Sequence, residues 1–186
     1  MKATGIVRRI DDLGRVVIPK EIRRTMRIRE GDPLEIYTDR DGEVIFKKYS
    51  PIGEFADFAS QYAETLYKSC GMSVLICDRD AVIACAGVSR KEYTEKRLSE
   101  AIEKILEGRS MYIYREGSDR ISATADSSGT HYVSCAMPIV SEGDVVGCVI
   151  SLCDGTEGKS REVTGGDIET KLVLTAAAFL GRQLQA

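Results

Sequence analysis

The chain has 186 residues, of which 43% are hydrophobic and 30% charged, a balance typical of a soluble protein with one large or two small domains. It contains no apolar run near the ~18 residues that a membrane span requires, and its first residues lack the apolar stretch of a secretory signal peptide. We therefore expect a cytoplasmic protein without a membrane partner. The net charge of −3 hides an asymmetry, because residues 1–29 carry nine basic and three acidic side chains.

Short β-elements are predicted in the N-terminal 50 residues. A strand over 3–10 leads into a turn at 11–14, and the β-branched run at 16–18 predicts a second strand. Beyond the helix described below, residues 34–38 and 43–49 form a predicted hairpin in which Val44 and Phe46 share the more apolar face.

A basic helix follows the second predicted strand. Pro19 suits its first position, where the missing N–H removes no helical hydrogen bond. Ile22 and Met26 are predicted to face a core. The basic side chains share one narrow arc, which favours phosphate binding: Lys20, Arg23, Arg24 and Arg27.

The small size of this N-terminal region predicts self-association. A lone domain of about 50 residues is marginally stable. Its two predicted strands also carry apolar residues on both faces, as Ile6 with Val7 and Val16 with Val17 illustrate. We infer a dimer whose strands interlock.

The C-terminal region predicts an α+β sandwich. Its pattern gives helices over 54–69, 94–107 and 167–184, strands over 73–77, 81–86 and 111–114, a loop over 118–130, and a hairpin of 132–140 with 145–153. The last helix uses Ile168, Leu172, Thr175, Ala176 and Phe179 as its apolar stripe. In such a fold the two terminal helices lie near each other, and their stripes are expected to pair across subunits and form a tetramer.

The cysteines indicate neither a metal site nor a catalytic residue. All six lie in or beside apolar stretches without a Cys-x-x-Cys pair, as expected of small buried hydrophobes in a reducing compartment. His131 is the single histidine, so no zinc site and no other cofactor is expected.

Residues 1–50 resemble the AbrB-type transition-state regulators of spore-forming bacteria. The resemblance lies in Thr4-Gly5-Ile6-Val7-Arg8, in Leu13-Gly14-Arg15-Val16-Val17-Ile18-Pro19, and in Leu34-Glu35-Ile36-Tyr37. Residues 54–186 resemble a GAF domain in the order of their elements. The resemblance implies a swapped-hairpin β-barrel dimer over 1–50, a linker over 51–53, and a GAF-like α/β sandwich over 54–186.

The same resemblance implies a DNA-binding transcription regulator, both activator and repressor, of late sporulation genes. The DNA-contacting residues of the family correspond to Arg8, Arg15, Arg23 and Arg24, and Arg9 occupies a position where relatives also carry a basic residue. A GAF-like domain implies a small-molecule effector between the sheet and the 118–130 loop. An ordinary flexible loop is the alternative for that segment.

Two other functions stay open at this point. Some GAF proteins reduce methionine sulfoxide with cysteines, and six cysteines are present. Related swapped-hairpin modules also act as antitoxins, although residues 54–186 are patterned for a folded core rather than for a disordered tail. The pattern favours the regulator over both alternatives.

Overall fold

The computed structural model describes residues 4–126, 130–155 and 166–185. The chain divides into two compact units, residues 1–49 (unit 1) and residues 50–186 (unit 2). Within the described ranges, no helix is long and apolar enough to cross a membrane.

Unit 1 contains one short helix and one hairpin, α1 (Lys20–Met26), β1 (Leu34–Thr38) and β2 (Val44–Lys48). The predicted hairpin is confirmed, with Ile36 opposite Phe46 in an antiparallel register. The strands predicted over 3–10 and 16–18 are not formed, because residues 4–19 have no strand partner within the single chain.

Unit 1 has no hydrophobic core of its own in one copy. None of the large apolar side chains among residues 4–49 is buried, and neither buried cluster of the described chain includes a member of unit 1. Its most exposed apolar residues are Val7, Ile10, Leu13, Val17 and Ile36, each 61–85% exposed.

Unit 2 is built on a five-stranded antiparallel sheet of order β4-β3-β7-β6-β5. Its elements in chain order are α2 (Pro51–Glu54), α3 (Ala56–Cys70), β3 (Ser73–Asp78), β4 (Val82–Ala86), α4 (Arg90–Tyr93), α5 (Glu100–Glu107), β5 (Tyr112–Ile113), β6 (His131–Ser141), β7 (Asp144–Asp154) and α6 (Gly166–Gln183).

Two buried clusters form the core of unit 2. One cluster packs α2, α3 and α6 against the sheet, with Ala59, Val74 and Ala176 among its members. The other packs α4 and α5 against the same sheet through Tyr93 and Ile102. The result is a three-layer arrangement with helices on both faces.

Three predicted elements of unit 2 differ from the structure. Residues 51–53, expected to be a linker, lie in α2. The helix predicted over 94–107 is only α5, because Leu98 pairs with Thr124 in an isolated bridge and the helix starts after its N-cap Ser99. The buried face of α6 is displaced from the predicted stripe: it consists of Glu169, Val173, Ala176, Ala177, Leu180 and Gly181.

The two long terminal helices of unit 2 lie side by side, as predicted. The ring centroid of Phe179 on α6 is 6.1 Å from that of Phe58 and 5.5 Å from that of Tyr62, both on α3. Phe179 is still 39% exposed and Ile168 is 54% exposed. The predicted α6 stripe therefore contacts α3 and leaves apolar surface uncovered.

Candidate nucleic-acid interface

A rigid turn carries Arg15 in unit 1. Asp11 Oδ1 accepts hydrogen bonds from the backbone N–H of Leu13 at 3.0 Å and of Arg15 at 2.7 Å. The backbone adds Asp11 N–H to Arg15 O at 3.0 Å and Gly14 N–H to Asp11 O at 3.1 Å. Gly14 has φ +76°, a conformation that favours glycine. The Asp-x-x-Gly sequence thus fixes the backbone from which Arg15 projects.

The second turn of unit 1, which joins β1 and β2, has the same bonding pattern with different side chains at two equivalent positions. Asp39 Oδ1 accepts from the N–H of Asp41 at 3.1 Å and of Glu43 at 2.9 Å. Gly42 has φ +81°. The position equivalent to Arg15 is Glu43, and the position equivalent to Leu13 is Asp41. The same hydrogen-bonding pattern therefore presents Arg15 in the first turn and Glu43 at the equivalent position of the second, so the first turn suits a polyanion better.

The helix α1 presents Arg23 and Arg24 to solvent in its last turn. Pro19, predicted as the first helical residue, is instead the N-cap. Arg27 is not part of the basic helical arc, because it ends the helix in the left-handed conformation with φ +53°. Met26, predicted to face a core, is 59% exposed in the single chain.

A polar contact fixes the end of α1 to the hairpin. Lys48 Nζ on β2 donates to Arg27 O at 2.9 Å and lies 3.6 Å from Asp32 Oδ2. The same Asp32 oxygen accepts from the Arg29 N–H at 2.8 Å. Sequence reasoning missed this contact, because Lys48 and Arg27 are 21 positions apart.

The five predicted DNA-contacting arginines are all exposed, but the single chain does not unite them in one element. Arg23 and Arg24 share α1, and Arg15 lies on the Asp11 turn. Arg8 and Arg9 precede that turn outside any helix or strand. With nine basic and three acidic side chains in residues 1–29, this surface attracts polyanions even though the whole chain is acidic.

Unit 2 has a groove of ≈ 410 Å³ beside β4, and no residue of the described loop 118–126 lines it. Of the predicted effector loop, residues 127–129 lie outside the described residues, and Ala123 and Thr124 are buried. In the described ranges, no three His, Cys, Asp or Glu side chains are grouped so that they could hold a metal ion.

The family comparisons agree with the two units. A family model described as stage V sporulation protein T C-terminal, transcription factor, matches residues 54–185. A model described as antidote-toxin recognition MazE, bacterial antitoxin, matches residues 7–54. Residues of the N-terminal region are also 65% identical over 51 residues to the transition state regulatory protein AbrB of Bacillus subtilis (strain 168), covering 27% of this chain and 52% of that relative.

A solved structure supports the fold of unit 2. The A. aeolicus nlh2 GAF domain in an inactive state aligns with a TM-score of 0.50 at 17% identity, covering 73% of this chain and 85% of that chain. At this identity the likeness shows the fold alone. The predicted GAF-like architecture of unit 2 and the AbrB-like character of the N-terminal region are confirmed.

The class defined by these two units is an AbrB-like transcription regulator with a C-terminal GAF-like domain. The whole chain is 53% identical to stage V sporulation protein T of Bacillus subtilis (strain 168), over 100% of this chain and 99% of that relative. The chain therefore belongs to the stage V sporulation protein T family.

Proposed function

We propose that this protein is a sequence-specific DNA-binding regulator that activates and represses late sporulation genes. One observation carries the proposal: unit 1 exposes its cationic side chains and its apolar side chains together, without a core in one copy. A second copy would cover the apolar surface and double the cationic one.

The partner for the apolar surface of unit 1 is a second copy of the chain. A unit of about 50 residues without a buried core does not stay folded alone. Residues 4–17 are exposed and carry β-branched runs that would pair as strands with a second copy, as a swapped-hairpin dimer requires. Two copies would join about a dozen net positive charges in one assembly, since residues 1–29 carry nine basic and three acidic side chains.

The partner for the cationic surface is double-stranded DNA. Arginine pairs bidentately with phosphate and with the guanine edge, so it supplies both affinity and base discrimination. The helix α1 has only seven residues, and we therefore assign much of the recognition to phosphate contacts and DNA deformability. The proposed contacts are Arg8, Arg9, Arg15, Arg23 and Arg24.

Unit 2 would assemble dimers into tetramers through α3 and α6. Phe55, Ile168 and Phe179 on or beside these helices are 39–54% exposed. Pairing the same face of a second subunit would bury this surface in a symmetric contact. Unit 2 would also bind the small-molecule effector beside the loop 118–130. The whole protein would act in the cytoplasm, on the nucleoid.

The thiols of unit 2 argue against the methionine sulfoxide reductase alternative. Burial, followed by the hydrogen bond with Cys148, raises the pKa of Cys77 well above its ordinary value of 9. Burial, followed by the nearby Glu169, raises the pKa of Cys135 to about 11. A nucleophilic cysteine requires the opposite shift and an exposed sulfur. We therefore propose that the protein is not an enzyme.

Thiol titration tests this part of the proposal. With a disulfide reagent near pH 7, we expect the partly exposed Cys70 and Cys153 to react first and the four buried cysteines only after unfolding. Because the pKa of Cys135 is raised to about 11, its thiolate fraction near pH 7 is about 100-fold below that of a thiol with the ordinary pKa of 9. Rapid reaction of Cys77 or Cys135 in the native protein would revive the enzyme alternative.

The MazE match covers only residues 7–54, and the antitoxin alternative is not favoured. Unit 2 is a folded domain with two buried clusters, unlike a segment that folds upon a toxin.

Sequencing the DNA that the full protein binds in sporulating cells tests the regulator directly. We expect fragments that share a common sequence and lie upstream of late sporulation genes. Fragments without a shared sequence, or co-purification with a small basic toxin instead of DNA, would refute the proposal.

A further inference from the structure

Unit 2 begins with the short helix α2, and Ser50 fixes the start of this helix to the sheet. Ser50 Oγ accepts the Gly53 N–H at 3.1 Å as the N-cap, and it donates to Asp78 Oδ2 at 3.0 Å. The other oxygen of Asp78, Oδ1, accepts the N–H groups of Asp80 and Ala81, each at 2.7 Å. One hydroxyl therefore connects the helix to the β3–β4 turn.

A close apolar contact lies farther along the same helix, at Ile52. Ile52 is 2% exposed and belongs to the core between the sheet and the terminal helices. Gly147 on β7 lies opposite Asp78, and a Cβ atom there would be 2.0 Å from the Cys77 carbonyl oxygen and 2.7 Å from Ile52 Cδ1. Only glycine permits this approach. We name Ser50, Ile52, Asp78 and Gly147 the α2 anchor.

The connection between the two units is very short. The Tyr49 N–H donates to Pro33 O at 3.0 Å within unit 1, and the next residue, Ser50, belongs to the α2 anchor of unit 2. Since β2 ends at Lys48, a single residue separates the last strand of unit 1 from the N-cap of α2.

We propose that Ser50 and Asp78 are positioning residues for DNA binding, which restrict the connection between unit 1 and unit 2. The inference rests on the proposed function, in which unit 1 binds DNA and unit 2 joins dimers into tetramers. A restricted connection raises the effective concentration of the second DNA-binding dimer once the first is bound. Loss of the Ser50 bond would lower two-site binding and leave one-site binding unchanged.

The test compares full-length variants on duplexes that carry one or two copies of a site, selected by the wild-type protein from a random-sequence pool. In Ser50→Ala, we expect the affinity advantage of the two-site duplex to fall about tenfold. Ser50→Thr retains the hydroxyl and should retain the advantage. Ser99→Ala is the matched control, because Ser99 Oγ is also an N-cap that accepts from Ile102 N–H at 3.3 Å and donates to Ser122 O at 2.6 Å.

A second variant adds slack without touching the α2 anchor. A run of about four glycines between Tyr49 and Ser50 should cause the same loss as Ser50→Ala. If either variant keeps the affinity advantage that the wild type has on the two-site duplex, the inference is overturned. An equal loss of this advantage in Ser99→Ala also overturns it. Failure of the proposed function looks different, since the wild-type protein would then select no site from the pool and bind no one-site duplex.

Discussion

The variant Phe46→Asp is expected to abolish the self-association of unit 1. Phe46 is 40% exposed in the single chain, and it shares one face of the hairpin with Val44 and Ile36, which are 58% and 61% exposed. Removing a phenyl group from an interface costs about 3 kcal/mol, and a symmetric dimer contains it twice. The dimer constant should therefore weaken by about 10⁴-fold, even before the cost of desolvating a carboxylate.

Sedimentation and fluorescence anisotropy measure this effect. We expect the full-length assembly to fall to half its mass and DNA binding to be lost, because two copies of unit 1 form one DNA-binding surface in the proposed dimer. Ile113→Asp is the control, since Ile113 is an equally exposed strand residue of unit 2 at 44%. An unchanged mass for Phe46→Asp would contradict the interlocked dimer.

The sequence pattern predicts most accurately the elements whose pairing and packing partners all lie in the same unit of one chain. The strands β3, β4, β6 and β7 lie within one residue or two of their predicted bounds, because their apolar runs are buried on the sheet. The strands predicted in residues 4–19 carry equally clear β-branched runs. They are not formed in the single chain because a strand is stabilised by pairing, and we propose that a second chain supplies this pairing.

Long-range contacts explain the other differences. Leu98 fits the helical period that leads to Ile102 and Leu106, and it is fully buried. It nevertheless lies outside α5, because its backbone pairs with Thr124 in a distant part of the chain. Local periodicity therefore predicts that Leu98 is buried, but it does not predict whether a helix or a β-bridge holds its backbone.

Only some residues of the candidate site could be predicted from the sequence. The arginines of the cationic surface follow from charge density and from the family motif, and all of them are exposed as a binding surface requires. The residues that hold this surface in place do not follow from either signal. Lys48 is a conspicuous example, because an exposed strand position is the usual interpretation of Lys47-Lys48, yet its amine holds the end of α1. The Asp11 turn is easier to predict from the sequence than the Lys48 contact, because its Asp-x-x-Gly pattern is local. The same pattern occurs twice in unit 1.

The double variant Arg23→Ala with Arg24→Ala is expected to cause a large loss of DNA affinity without loss of fold. Both side chains are exposed on α1, so the thermal midpoint should stay near that of the wild type. A dimer loses four positive charges. If all four contact phosphate, the slope of log K against log salt falls by about 3.6, and affinity near 0.1 M salt falls by at least about 100-fold.

Arg40→Ala provides the matched control for this prediction. Arg40 is an exposed arginine of the same unit, but it lies in the second turn, between Asp39 and Asp41. Its removal takes one positive charge from each chain, against two in the double variant, and we expect an affinity change below about threefold, because this turn presents carboxylates to solvent. Anisotropy titrations at several salt concentrations separate the two results. If Arg40→Ala loses half as much binding free energy and half as much salt slope as the double variant, then net charge, and not the surface of α1 and the Asp11 turn, determines DNA binding.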